Sequence, residues 1–586
     1  MEQTLIIGVV GIIAVVLVTS LAPRVGVAAP LMLVLLGIGV SLLPVVEPIE
    51  IDPELVLGGM LPLLLYSTAV NTPLMEFRRD LPTISVFAVL LVVASAVGVG
   101  FLLVWMFPVL PLGVGIAVGA IVSPTDAVAT TIVRQSGVSH RIVTVLEGEA
   151  LFNDASALVL LRSAVAAVSA SFSFWDITLD FLYAVLVAVG IGLAVGYLNL
   201  AVRRRITQMP SSVAFSLVVP FVAFLPAEHL GASGLVAAVV AGLVTGEHTA
   251  KHLPSEVRIA ERTVWRTVEL ILESAIFLLM GLQLFALHED AVRTHQNEWL
   301  ALRLGVAAAV LVIVIRIVFV AASVWLLARR TKRMGDRREQ LDLLQKWLDE
   351  VGVLPTPTSP LTSTSTPRTP GRRVRALRNE RMGRFRSMAE RRKADLDYLA
   401  AEQFGWKDGA VLVAAGMRGA ITLAAAQSLP YWTPHRSLLI LTAFVVAAGT
   451  LLLQGGTLGM FVKALHLPPR DSSADAALFA QLRSALSEAA LEGLESGRWR
   501  RADGSEFSAT AVQAARELVE TAARAADESS RTYQNTEVGE LRLEIIEAQR
   551  TELLRIRDLG TFPSELLETK LLQLDADQIG VELRLR

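Results

Sequence analysis

Runs of about twenty apolar residues recur from Thr4 to about Leu327 and again from Gly409 to Leu465, separated by short turns that hold nearly all the charge of that region. A bilayer's hydrocarbon core takes about 20 apolar residues per helix, and every backbone polar group inside it must be paired within the protein. The chain is thereby confined to an all-α, polytopic membrane architecture. Its 586 residues are 53% hydrophobic and only 18% charged, whereas soluble domains carry roughly a quarter charged residues. Roughly thirteen spans are predicted, near 4–22, 25–44, 53–71, 82–106, 111–133, 141–168, 177–202, 212–228, 232–247, 264–286, 299–328, 408–429 and 437–465. Pro220, Pro226, Gly231 and Gly234 interrupt the eighth and ninth. The start, Met1-Glu2-Gln3, lacks a basic region and a small-residue cleavage site, so the first span is expected to be retained. The chain contains no cysteine, which excludes disulfides and thiolate metal sites.

Loop charge sets an orientation. After odd-numbered spans come Arg24, Arg78-Arg79, Arg134 with Arg141, Arg203-Arg204-Arg205, and the group Lys251, Arg258, Arg262 and Arg266. After even-numbered spans come Glu47 and Glu50, the uncharged 107–111, Asp176, Glu228, and lone arginines at 293 and 436. Positive loops stay cytoplasmic, so the N-terminus is expected outside and the C-terminus inside, in a plasma (inner) membrane. The domain plan is then 1–328 with spans 1–11, a basic low-complexity cytoplasmic loop at 329–403, spans 12–13 at 404–467, and a cytosolic helical tail at 468–586. The loop's Pro/Thr/Ser centre, Pro355 to Arg373, cannot bury a core, and its basic flank Arg372 to Lys393 reads first as part of an accessory loop that obeys the positive-inside rule, with contact to anionic lipid headgroups as the alternative. In the tail, Leu541, Ile545, Ile546 and Leu553 form an apolar stripe read as packing or self-association.

Within these apolar runs lie a few charged residues, and ionisable groups at membrane depth mark ion or proton paths by default. The sixth span contains Glu147-Gly148-Glu149-Ala150-Leu151-Phe152-Asn153-Asp154. Glu149 and Asn153, four residues apart, share a helix face, and Asp154 projects about 100° further round. These oxygens suit a sodium-sized ion. Desolvation favours a carboxylate's neutral form, so a proton competes with a cation for the same group. In the fifth span Ser123-Pro124-Thr125-Asp126 interrupts the helix, and interrupted helices place backbone oxygens and half-helix ends at the bilayer midplane. Thr125 is expected to offer an oxygen to the ion, and Asp126 to cap the second half-helix. The twelfth span carries Gly416-Met417-Arg418-Gly419, a second candidate break whose buried arginine needs a counter-charge, for which Glu149 is the candidate. Arg316 of the eleventh span needs a partner too, with Glu269 or Glu273 of the tenth as candidates for a structural pair. Arg162, two turns beyond Asp154, is placed in an outer vestibule.

Together Glu147-Gly148-Glu149-x-x-x-Asn153-Asp154, Ser123-Pro124-Thr125-Asp126 and Gly416-x-Arg418-Gly419 resemble the signatures of electroneutral sodium/proton antiporters of the first cation:proton antiporter family (NhaP/NHE-like). Leu63-Leu64-Leu65-Tyr66 through Asn71 resembles that family's third span. The resemblance implies a thirteen-helix inverted-repeat fold with two crossed, interrupted helices, a core domain that moves against a dimerisation domain, and a homodimer. It implies that Asp154 binds cation and proton alternately, that Asn153 and Thr125 ligate or support Na+, that Asp126 stabilises the crossed half-helices, and that Glu149 pairs with Arg418. An Asn-Asp pair implies one-for-one, electroneutral exchange. Ala150 replaces a serine that many members use for the ion, and Ser67 and Thr68 replace an acid near the third span, which leaves K+ and Li+ open as substrates.

The expected activity is exchange of a monovalent cation, Na+ first, for H+, with no resident cofactor, no nucleic-acid partner and no enzymatic step. A channel would show repeated filter segments or rings of charge, and the chain has one asymmetric site. An intramembrane hydrolase would need a histidine pair or a Gly-x-Ser-x-Gly motif in the membrane, and neither is present. A sensor that keeps the fold but not transport is distinguished by tolerance of Asp154→Asn.

Overall fold

Proline and glycine set where the helices of this chain start, break and end. The structure, a computed structural model, describes residues 2–25, 27–43, 52–169, 174–294, 297–352, 405–467, 472–501, 503–524 and 536–585, with scattered positions between 388 and 398. Among the described residues there is no β-strand. The chain divides into two compact units, one of 1–322 and 406–470, the other of 323–405 and 471–586.

The first unit contains α1 (Glu2–Val25), α2 (Ala29–Ser41), α3 (Leu55–Asn71), α4 (Leu74–Met106), the half-helices α5a (Leu112–Val122) and α5b (Val128–Gln135), α6 (His140–Ser169), α7 (Phe174–Arg203), α8 (Met209–His229), α9 (Gly234–His252), α10 (Ser255–Arg293, interrupted at Gln283), the start of α11 (Glu298–Gly352), the half-helices α12a (Trp406–Ala414) and α12b (Ala420–Gln427), and α13 (Arg436–Ala464). Every span expected from the sequence overlaps one of these helices. Seven of them, α4, α6, α7, α8, α10, α13 and the apolar 298–327 part of α11, are long and apolar enough to cross a bilayer by length and composition.

Several boundaries differ from expectation for physical reasons. Helix α4 begins at Leu74 rather than at 82, because Pro82 is followed by a wider π turn at Val86–Leu91 that absorbs the lost hydrogen bond. Its first turns are amphipathic, and they bury Glu76 and Asp80. Helix α10 likewise starts at Ser255, nine residues early. Helix α11 continues past 328 to Gly352 through a run rich in Arg, Lys, Glu, Gln and Leu, all good helix formers with no proline among them. The Pro/Thr/Ser centre at 355–373 lies outside the described residues, as does nearly all of the basic flank at 372–393.

Packing between lipid-embedded helices depends on close approach, because lipid tails are as apolar as the side chains they meet. Helices α2 and α10 cross at Gly37 and Gly281, and a Cβ on either would collide with the other's backbone. Gly119 of α5a lies against the backbone of Ala96 in α4 in the same way. A buried aliphatic and aromatic cluster around Tyr66, Ala188, Val219, Val236 and Trp265 joins α3, α7, α8, α9 and α10. Arginines that the loop-charge reading placed in exposed turns are in part structural pins. Arg203 makes two 2.9 Å contacts to Glu261 and a 3.1 Å bond to Ser212, and Arg141 donates at 2.8 Å to Asp80, all with buried side chains.

The second unit has its own cores. Helices α14 (Ser472–Ser496), α15 (Ala509–Arg524), α16 (Thr536–Leu559) and α17 (Ser564–Leu585) bury Leu482, Leu486, Leu553, Leu567 and Leu574 in one cluster, and Leu494, Val519, Leu541 and Ile545 in another. The stripe at Leu541, Ile545, Ile546 and Leu553 is thus internal packing, each residue at most 1% exposed. Arg550 bonds Asp575 at 3.1 Å inside this bundle.

Candidate functional site

Two broken helices build the site. Residues 123–127 leave helical geometry between α5a and α5b, and residues 415–419 do so between α12a and α12b. The breaks are tied together by a backbone bond: Asp126 N–H donates to the Met417 carbonyl at 2.9 Å. A broken helix leaves carbonyls without partners, and in lipid these must be satisfied inside the protein. Arg418 supplies that need. Its guanidinium donates to the carbonyls of Val122 (2.9 Å), Ser123 (3.2 Å) and Gly416, while its own N–H donates to Thr450 Oγ1 at 3.0 Å. Asp126 Oδ1 accepts the Val128 N–H at 2.8 Å and so caps the start of α5b, as expected for a carboxylate at a helix N-terminus. Gly419 is required here, since a Cβ would overlap the Asp126 carboxylate.

The expected Glu149–Arg418 ion pair is not formed. Glu149 pairs with Arg316 through bonds of 2.5 and 3.0 Å, with both side chains 1% exposed. The proposed Arg316–Glu273 pair is absent for the same reason. Arg316 lies beside Gly416, where the missing side chain leaves room for its guanidinium, and it also donates to the Leu412 carbonyl at 2.9 Å. Arg418, one residue from the crossing, is drawn to carbonyls rather than to a carboxylate. Arg162 pairs with Glu228 at 2.9 Å on an exposed surface.

From Glu149 a relay of hydrogen bonds runs to the candidate ligands. Thr125 Oγ1 donates to Glu149 Oε1 at 3.1 Å and accepts from Asn153 Nδ2 at 2.7 Å. The amide orientation is thereby set, and Asn153 Oδ1 is left as a buried acceptor with no hydrogen-bond partner among the described residues. Asp154 follows on the next face of α6, 5% exposed, and its carboxylate makes no hydrogen bond or ion pair among the described residues. It lines a cavity of about 70 Å³ together with Thr68, Thr125, Asp126, Glu269 and Glu273. Asp154 also lines a second gap of only about 10 Å³, among Ile121, Leu158, Leu161 and Ile421. Such a gap barely admits one water, whereas the larger cavity, with its four carboxylates, has room for several.

The structure therefore gathers Thr125, Asp126, Glu149, Asn153 and Asp154 at one place, and adds Arg316, which sequence reasoning had assigned elsewhere. It also brings Glu269 and Glu273 to the cavity, where they had been considered only as partners of Arg316. The available signal was their depth in the apolar tenth span. No cluster of three or more His, Cys, Asp or Glu side chains with metal-holding geometry occurs among the described residues.

The transmembrane model of the sodium/hydrogen exchangers matches residues 11–348, more than half of the chain. The chain belongs to that family. This exchanger-family chain is 34% identical over 253 residues to the uncharacterized Na(+)/H(+) exchanger YjcE of Escherichia coli, a match covering 42% of the chain and 46% of the relative. It is 29% identical over 507 residues to the uncharacterized Na(+)/H(+) exchanger Rv2287 of Mycobacterium tuberculosis, covering 84% and 81%. It is 32% identical over 268 residues to a sodium, potassium, lithium and rubidium/H(+) antiporter of Bacillus pumilus, covering 44% and 39%. Its fold is that of the sodium proton antiporter MjNhaP1 of Methanocaldococcus jannaschii, with a TM-score of 0.53 at 16% identity over 80% of this chain and all of the other.

Proposed function

We propose that the protein is a secondary antiporter that exchanges a monovalent cation, Na+ first, for H+ by alternating access, with Asp154 as the group that carries either one. The observation that carries this reading is a 5% exposed carboxylate without a partner among the described residues, lining a largely apolar cavity into which three further carboxylates, Asp126, Glu269 and Glu273, also reach. An unpaired buried carboxylate is too costly to stay charged and empty, so it takes a proton or a cation. Holding one excludes the other, and that exclusion is the coupling. The crossed half-helices add fixed dipoles and backbone oxygens near the ion, and Asp126 and Arg418 keep their ends satisfied. Thr125 and Asn153 position the amide oxygen beside Asp154, and pairing with Arg316 takes Glu149 out of the exchange; cycling of Asp154 alone supports electroneutral one-for-one exchange.

With the N-terminus outside and the C-terminus inside a plasma membrane, Thr68 and Glu269 lie on the cytoplasmic side of Asp154, so the cavity is the inner access route. The site acts in a homodimer, serves pH and sodium homeostasis, and needs no resident cofactor. Ala150, which lines the cavity, supplies no side-chain oxygen. A site with few protein oxygens keeps part of the ion's water shell and selects weakly by size, which favours K+ and Li+ as further substrates, in line with the sodium, potassium, lithium and rubidium/H(+) antiporter of Bacillus pumilus. The test is Na+-, K+- and Li+-driven proton movement in proteoliposomes from pH 6 to 9. The native protein is expected to exchange without a voltage effect, and Asp154→Asn to lose exchange while remaining folded; exchange retained by Asp154→Asn would refute the assignment.

A further inference from the structure

Helix α10 carries Glu269 and Glu273 one turn apart, and both line the cavity that Asp154 faces from α6. None of the residues lining this cavity is basic. The two deeply buried arginines nearby are committed, Arg316 to Glu149 and Leu412, Arg418 to backbone carbonyls. The two α10 carboxylates differ in their surroundings. Glu269 accepts from Ser67 Oγ at 3.2 Å and has Arg134 and Arg266 within electrostatic reach. Glu273 makes no hydrogen bond or ion pair among the described residues, and its charged neighbours are Asp126 and Glu269, both acidic. Asp154, buried and equally without a partner among the described residues, lines the same space from α6. Two unpaired carboxylates on separate helices thus face one cavity of about 70 Å³, room for a cation with several of its waters. An acid-lined, low-dielectric cleft focuses the field and raises the local cation concentration.

We propose that Glu273 is a second cation-binding carboxylate of the cavity, a staging ligand that takes an incoming partly hydrated monovalent cation before it reaches Asp154 and so sets the apparent cation affinity. This deepens the exchange reading above and rests on it. Glu273 does not carry the exchanged proton, so the one-for-one stoichiometry stays with Asp154.

The experiment measures Na+/H+ exchange in proteoliposomes for the native protein, Glu273→Gln, Glu273→Asp and Asp154→Asn. Glu273→Gln is expected to raise KM for Na+ about tenfold, to keep the saturated rate within about twofold, and to leave the midpoint of the pH profile at saturating Na+ in place. Glu273→Asp restores most of the native KM. A merely structural role would lower the saturated rate and the folded yield together and leave KM alone; that result, or an unchanged KM in folded Glu273→Gln, overturns the proposal. Equilibrium Na+ binding provides a second measurement that does not depend on turnover: Asp154→Asn is expected to keep weak Na+ binding that Asp154→Asn with Glu273→Asp retains and Asp154→Asn with Glu273→Ala loses. Equal binding in all three overturns it. Absence of exchange in the native protein, or exchange that survives Asp154→Asn, would instead sink the antiport reading itself.

Discussion

Removing one half of the Arg316–Glu149 pair is the most discriminating perturbation. Both side chains are 1% exposed and joined by contacts of 2.5 and 3.0 Å. Glu149→Gln leaves a guanidinium buried without its counter-charge, and one-sided loss of a buried pair costs about 3–5 kcal/mol. Arg316→Gln strands the carboxylate to the same extent and also frees the Leu412 carbonyl, now held at 2.9 Å, for roughly another 1 kcal/mol. In the double variant no uncompensated charge remains, so a coupling energy of about 2 kcal/mol is expected between the two sites. Arg418 donates to carbonyls of Val122, Ser123 and Gly416 and to no carboxylate. Its coupling to Glu149 should therefore be smaller than that of Arg316, which bonds the carboxylate directly. Denaturant unfolding of the purified protein, followed by tryptophan fluorescence for the two double-mutant cycles, measures both quantities. Additive effects of Glu149→Gln and Arg316→Gln, or a larger coupling of Glu149 with Arg418, would refute the pairing.

Thr125→Val should leave Asn153 Nδ2 without its 2.7 Å acceptor, with about 1–3 kcal/mol lost and Na+ affinity reduced, whereas Thr125→Ser should behave as native; equal KM for both variants would argue against the relay. Gly419→Ala places a methyl on the Asp126 carboxylate, so overpacking by about 1–3 kcal/mol and at least tenfold slower exchange are expected in the vesicle assay; a native rate would show that the crossing tolerates a side chain. In the tail, the Ser508 N–H and hydroxyl both donate to Glu537, and these bonds hold its carboxyl below the usual value. A depressed folded-state value means that the contact stabilises above the unfolded pKa of about 4.3 and is lost as pH falls through the lower one. Amide protection factors at 508–511, measured against the intrinsic exchange rate at each pH, should therefore fall on acidification below about pH 4.3, and Glu537→Gln should remove that dependence.

Much of the membrane architecture and of the site was legible from local order along the chain. Apolar length sets how many residues a span needs, and Pro124 and the glycines around Arg418 break their helices wherever the chain folds. Glu149, Asn153 and Asp154 share one helix, so their relative directions follow from 3.6 residues per turn. Helix starts at Leu74 and Ser255 were missed because amphipathic first turns read as loops until the buried partners of Glu76 and Asp80 are known. Which arginine meets Glu149 was not decidable from the sequence. Arg316 and Arg418 are both single cations in apolar helices, separated from Glu149 by 167 and 269 positions, and nothing in local periodicity ranks them. Only the tertiary structure decides, by setting Gly416 against Arg316 and the opened carbonyls of 122 and 123 against Arg418. The same holds for Glu273: its depth is written in the sequence, but its facing Asp154 across a cavity depends on how α10 packs against α3 and α12b, a matter of shape complementarity between helices distant in the chain.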